Sequence, residues 1–201
     1  DHRDLHYPLR RQRQMCIRDR AQIGIHFDVV SPYINEAALA GEQPEIYVDR
    51  MSREKAKAIF QRLGCDRPIL CADTVVTVDQ RILGKPLDKS DCIRMLMTLS
   101  GREHQVFSSV TLIDSVGNET STQVTTQVRF RSLDIEECER YWLTGEPMDK
   151  AGSYGIQGRG AIFVSGIHGS YSNVVGLPLF ETATLLRSAG IGRWQWAGRV
   201  L

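Results

Sequence analysis

The sequence predicts one α/β domain built on a mixed sheet, and three observations carry that prediction. A largely apolar run over residues 69–78 suits a strand buried on both faces, apolar residues alternate at a period of two over 104–114 and 120–131, and they recur at helical spacing over 46–63, 88–99 and 135–144, so strands and helices succeed one another along the chain. The strands at 104–114 and 120–131 are separated only by a turn at Gly117-Asn118, which predicts an antiparallel hairpin within the sheet. The chain has 201 residues, 42% hydrophobic and 24% charged, enough to close one substantial core in a single domain.

Taken in order, residues 1–20 have few apolar residues and no sustained period, and hold six arginines against three aspartates. They read as a solvated, disordered arm or as foreign sequence, with a basic nucleic-acid arm as a reading that lacks aromatic interleaving. The domain itself is expected to run over residues 21–201. Ile23, Ile25, Phe27 and Val29 alternate with polar positions as in a half-buried strand that stops at Ser31-Pro32. Glu36 follows in a polar loop. Residues 46–63 form a helix stopped by Gly64, and its Ser52-Arg53-Glu54-Lys55-Ala56-Lys57 run reads as a solvated face. After the 69–78 strand, Asp79-Gln80 predicts a tight turn into a short return strand ending at Gly84-Lys85-Pro86, where the proline holds Lys85 extended. Asp88 or Ser90 caps the next helix and Asp134 the one after the hairpin. Residues 149–160 hold four glycines between 152 and 160 and predict a loop whose amides can approach a ligand, although no Gly-Lys-Ser/Thr follows as in a P-loop. A strand at 161–167, a polar loop at 169–173 and a last helix at 179–187 complete the pattern, with Trp194 and Trp196 in the tail.

The 69–78 strand carries the chemistry. It is free of charge except for Asp73, and an aspartate in a buried strand is costly unless it is paired, hydrogen-bonded or metal-bound. Taken alone, Asp73 reads equally well as a strand-end residue satisfied by amides. Together with Glu36, Lys55, Thr74, Lys85, Lys150, Gln157, Ser170 and Asn173, all at strand ends, in loops or on a helix face, it forms a recognisable inventory. Glu36 and Asp73 could hold Mg²⁺ or Mn²⁺, the lysines could neutralise phosphates, and the Gln157 amide could read a base edge. That set suits metal-assisted attack of water on a polyphosphate. No serine or cysteine has a histidine at a spacing that would make it a nucleophile. A formal net charge of +1 predicts no general affinity for nucleic acid or membranes. The five cysteines lack a C-x-x-C pair, and no run approaches a membrane span or a leader, which predicts a reduced, cytoplasmic protein.

The motifs Ser52-Arg53-Glu54-Lys55-Ala56, Ala72-Asp73-Thr74-Val75-Val76, Gly84-Lys85-Pro86, Leu99-Ser100-Gly101-x-x-His104-x-Val106, Asp149-Lys150-Ala151-Gly152-x-Tyr154-Gly155-Ile156-Gln157-Gly158 and Gly169-Ser170-Tyr171-x-Asn173-Val174-Val175-Gly176-Leu177-Pro178 resemble the Maf family, over residues 21–190. The resemblance implies an α/β/α fold related to inosine triphosphatases, with a mixed, twisted sheet and a cleft between two lobes. It further implies a homodimer, a divalent metal, and hydrolysis of a nucleoside triphosphate to the monophosphate plus pyrophosphate in a house-cleaning role. On this carry-over Asp73 accepts the proton of the attacking water, Thr74 and Gln157 set base preference, Lys55, Lys85 and Lys150 bind phosphate, and Glu36 shares the metal with Asp73. The Ala-Asp-Thr and Ile-Gln-Gly forms resemble the branch acting on dTTP and UTP, with modified pyrimidine nucleotides as a further class, more than the branch acting on 7-methyl-GTP. The family also begins with a strand and a Ser-x-Ser-Pro-Arg-Arg phosphate loop; here the corresponding Arg13-Gln14-Met15-Cys16-Ile17-Arg18 lacks the serines. That departure keeps open a nucleotide-binding or cell-division regulatory protein without turnover.

Overall fold

A computed structural model describes residues 27–64 and 67–191. Helix α1 (Pro44–Leu63) begins with proline in its first turn, where the missing N–H costs nothing, and ends at Gly64 with a φ of 75°. Strand β1 (Ile69–Val78) turns at Asp79 and Gln80, both at positive φ, into β2 (Arg81–Leu83). Helix α2 (Lys89–Leu99) is capped by Asp88, which accepts from the Asp91 amide. The hairpin β3 (Glu103–Ile113) and β4 (Glu119–Phe130) follows as expected, then α3 (Ile135–Trp142), capped by Asp134. Short 3₁₀ turns over Glu146–Asp149, Ala151–Ser153 and Arg159–Phe163 shape the glycine-rich loop and lead into β5 (Val164–His168). The polar loop expected at 169–173 is instead largely a short helix, α4 (Tyr171–Val175), because Ser170 caps it through the Asn173 amide; α5 (Leu179–Ser188) is the last described helix.

The class is α/β, as expected, and the strand order is β2-β1-β3-β4-β5. Among the described residues every pairing is antiparallel, so the sheet described is not the mixed one expected. Two hairpins dictate two of these pairings, and β3 returns from α2 antiparallel to β1. The strand expected over 23–29 falls largely outside the described residues, and residues 27–30 have irregular backbone. Trp194 and Trp196 also lie outside the described residues.

Alternation along β1 and β3 builds three layers. Ile69, Cys71 and Ile113 pack with Ala56 and Ile59, and Val75 and Phe107 with Val48, on the face covered by α1. Val110 and Leu112 pack with Leu177, Leu185 and Leu186 on the other face. There too, Val76, Val78, Val106, Val128 and Phe130 meet Cys92, Leu96 and Leu99 of α2 and Cys138 and Tyr141 of α3. Cys71, Cys92 and Cys138 are buried thiols. Among the described residues no helix is long and apolar enough to cross a membrane.

Candidate active site

The charged run on α1 is a solvated face only in part: Lys57 is exposed and Glu54 partly so, whereas Lys55 is largely buried. Ser52 is fully buried, and its Oγ meets Ser109 Oγ at 2.9 Å and Thr111 Oγ1 at 2.7 Å on β3. Asp49 accepts from Ser109 and Ser121 at 3.0 and 2.7 Å and from Arg53 at 2.7 Å, while Arg53 reaches Glu119 on β4. The sequence reading missed this seam because small hydroxyls and charges on a helix look like solvent contacts until their partners on the sheet are known. The seam sets the rotation and register of α1 on the sheet, and so the direction of Lys55, one turn beyond Ser52.

Lys55 Nζ lies 2.6 Å from Asp73 Oδ1 and 2.9 Å from Glu36 Oε1. The Lys55 and Asp73 side chains are 13% and 12% exposed, whereas Glu36 is half exposed. Glu36 is held over α1 by the Tyr47 hydroxyl, which donates to its carbonyl at 2.9 Å, and by Arg50, which donates to the Ala37 carbonyl at 3.1 Å. Burial pushes the Asp73 carboxyl up; the Lys55 charge and hydrogen bond pull it down, Glu36 pushes it up and Lys85 pulls it down, leaving it above its ordinary value. Burial also pushes Glu36 up, but Lys55 and then Lys85 outweigh it and hold that carboxyl below its usual range. Burial disfavours the Lys55 ammonium, yet the facing carboxylates more than compensate and keep it protonated. Glu36, Lys55, Asp73 and the exposed Lys85 therefore act electrostatically as one cluster.

Lys150 lies on the glycine-rich loop and not in this cluster. Its loop is tied to the end of β2 by Gly152 N–H donating to the Gly84 carbonyl at 3.0 Å, next to Lys85. Gly152 has a φ of 67°, and a Cβ there would fall 2.9 Å from Val76, so only glycine lets the loop close on β1. Lys150 itself is paired with Asp149 at 2.6 Å. The remaining predicted residues are placed elsewhere. Thr74, next to Asp73 on β1, projects from the opposite face and bonds Ser108 Oγ at 2.7 Å and the Gly176 carbonyl at 3.2 Å. Ser170 and Asn173 belong to that face as well: Asn173 is fully buried and donates to the Val106 carbonyl and Thr126, so both serve the packing of α4. Gln157 is exposed on the loop tip and makes no hydrogen bond to the Asp73 cluster. Sequence reasoning also overlooked Glu146, which sits beneath that tip; a carboxylate just ahead of a loop rich in free amides was the available signal.

A divalent cation is compatible with the donor set. Glu36 and Asp73 are hard oxygen donors that already share one cation, the Lys55 ammonium. No group of three or more His, Cys, Asp or Glu among the described residues is arranged to hold a metal. A Mg²⁺-like ion would thus take one or two protein carboxylates and complete its shell from water and phosphate, which is how such ions commonly bind nucleotides.

The described residues thus bring two carboxylates and a lysine together at the junction of the sheet and its covering helix, with Lys85 adjoining. The family model described as Maf-like protein matches residues 11–189, and the chain belongs to that family. The matched range begins within the first 20 residues, the segment expected to be foreign to the domain. The dTTP/UTP pyrophosphatase of Vibrio parahaemolyticus is 52% identical over 83% of this chain and 88% of its own length. Those of Vibrio cholerae and Hahella chejuensis are 49% and 45% identical, over 83% and 92% of this chain and 88% and 90% of their own lengths. A solved nucleoside-triphosphatase / dITP/XTP pyrophosphatase from Mycobacterium abscessus, 14% identical over 90% of each chain, gives a TM-score of only 0.41, too low to bear on the fold.

Proposed function

We propose that the protein hydrolyses dTTP and UTP to the monophosphate and pyrophosphate. The single observation that carries this reading is the Glu36–Lys55–Asp73 cluster, with Lys85 adjoining, in a chain whose relatives bear the name dTTP/UTP pyrophosphatase. In this mechanism Asp73 takes the proton from the attacking water, and its upward-displaced carboxyl is a better base than an ordinary aspartate. Lys55 and Lys85 neutralise charge developing at the α-phosphorus and on the leaving pyrophosphate, and Lys150 leaves Asp149 to meet the far end of the triphosphate. Glu36 and Asp73 would hold a Mg²⁺ or Mn²⁺ ion, which supplies charge neutralisation of the phosphates. Gln157 offers an amide N–H to uracil O4 and a carbonyl to N3–H, a pattern that cytosine reverses. Thr74 shapes base preference from behind the strand, through Ser108 and Gly176. The protein works in the cytoplasm as a homodimer, with no nucleic-acid or membrane partner, on this reading.

Pyrophosphate release from a panel of nucleoside triphosphates with Mg²⁺ or Mn²⁺ tests the proposal. UTP and dTTP are expected to be the best substrates, and Asp73→Asn to lower kcat by about 10²–10⁴, the range for loss of a positioned base. A 7-methyl-GTP preference would move the protein to another branch. The absence of the serine pair in residues 13–18 favours a second reading, nucleotide binding without turnover; UTP binding with no pyrophosphate release would establish it.

A further inference from the structure

Three backbone amides flanking Gln157 converge on one side-chain pair. Glu146 Oε2 accepts from the Arg159 amide at 2.8 Å, and Oε1 from the Gly160 amide at 3.0 Å and the Tyr141 hydroxyl at 2.7 Å. The same hydroxyl accepts from the Gly155 amide at 3.2 Å. The carboxylate lies so close under the loop that a Cβ on Gly158 would fall 2.4 Å from it. Tyr141 is itself fixed edge-on against Phe163, with ring centroids 4.9 Å apart. None of these groups belongs to the Lys55–Asp73 cluster.

We propose that Glu146, with Tyr141, is a positioning residue for nucleobase selection: the pair clamps both sides of the turn that carries Gln157 and so sets the angle at which its amide meets the pyrimidine edge. This rests on the reading of Gln157 given above. Loops of small residues lose directional selectivity when they relax, because a hydrogen-bonding pair discriminates only at fixed geometry. A carboxylate is the suitable clamp because it offers acceptors alone to three donors. Glu146→Gln keeps the volume but turns an N–H₂ toward a backbone N–H, and should release one side of the turn.

The test compares Glu146→Gln, Tyr141→Phe, Gln157→Ala and the Glu146→Gln/Gln157→Ala double variant in the full chain. Affinities for UTP and CTP are measured by calorimetry in an Asp73→Asn background, and kcat/KM for both in the Asp73 protein. Glu146→Gln is expected to lower the UTP-over-CTP ratio about tenfold, mainly through KM, with kcat for UTP falling by less than about threefold. Tyr141→Phe should act in the same direction, and it decides the matter should Glu146→Gln fail to fold. In the double variant the ratio should fall no further than in Gln157→Ala alone, since the clamp acts through Gln157. An unchanged ratio, an equal loss of affinity for both nucleotides, or effects that add to those of Gln157→Ala would each overturn the clamp. A wild type that binds UTP without releasing pyrophosphate would overturn the hydrolytic function instead, and the binding ratios would still decide the role of Glu146.

Discussion

Asp73 is a carboxylate whose surroundings pull in two directions. Burial raises its proton affinity and Lys55 lowers it, with burial ahead. A base whose affinity is raised is protonated at higher pH than an ordinary aspartate, so activity should fail earlier on acidification. The acid limb of kcat/KM for UTP is therefore expected to have a midpoint above the ~3.9 of a free aspartate. Lys55→Met removes the strongest lowering influence and should move that limb further up; a limb at or below the ordinary value would contradict the electrostatic picture. Asp73 was legible in the sequence because it is the one charge in an otherwise uncharged strand. Its pairing with Lys55 was legible only as membership of one inventory, since the contact depends on how α1 lies across β1. Thr74 shows the limit at this scale. Adjacent residues on a strand face opposite ways, so its hydroxyl serves Ser108 and Gly176 rather than the Asp73 cluster.

Helix α1 binds the sheet with a polar seam as well as an apolar one. Its apolar contacts Met51, Ala56 and Ile59 were predictable from helical spacing, and so was its end at Gly64; its start lies two residues earlier than the expected 46, because Pro44 opens the first turn. Ser52 was not, because nothing local separates a buried serine from an exposed one; its partners Ser109 and Thr111 are supplied by β3. Ser52→Ala removes one hydrogen bond each from Ser109 and Thr111, which keep Ser121, and should cost about 0.5–1.5 kcal/mol per bond. Urea unfolding followed by circular dichroism measures that loss, with the slope against urea unchanged. A variant as stable as the wild type would show that the seam contributes packing alone. The hairpin β3–β4 was the most legible element, since its alternation and its Gly117-Asn118 turn agree, and the buried Thr126, Val128 and Phe130 lie on the one face expected.

Across the whole molecule, the core opposite α1 closes on aromatic rings. His104 is 3% exposed, stacks edge-on with Phe130 and Tyr154, and shares a hydrogen bond of 2.9 Å with the Tyr154 hydroxyl. Burial lowers its pKa to about 4. The unfolded chain, with an ordinary histidine near ~6.5, binds the proton first on acidification, so this contribution is complete above that value and is lost as pH falls toward the folded pKa. The full shift corresponds to about 3 kcal/mol. Between pH 6.5 and 4 the melting temperature of His104→Gln is expected to fall less steeply than that of the wild type; parallel curves would remove His104 as the cause. At this scale the α/β class was legible from periodicity. The sheet's sense was not, because pairing direction depends on which strands meet, and every described pair is antiparallel.

The tie between Gly152 and Gly84 has a mechanical consequence. Lys85 follows one end of that hydrogen bond directly and Lys150 precedes the other by two residues, so their stems are anchored to a common frame at a fixed separation. If both ammonium groups grip phosphate as proposed, the two grips are mechanically coupled, and a change that frees Gly152 from Gly84 would loosen both at once.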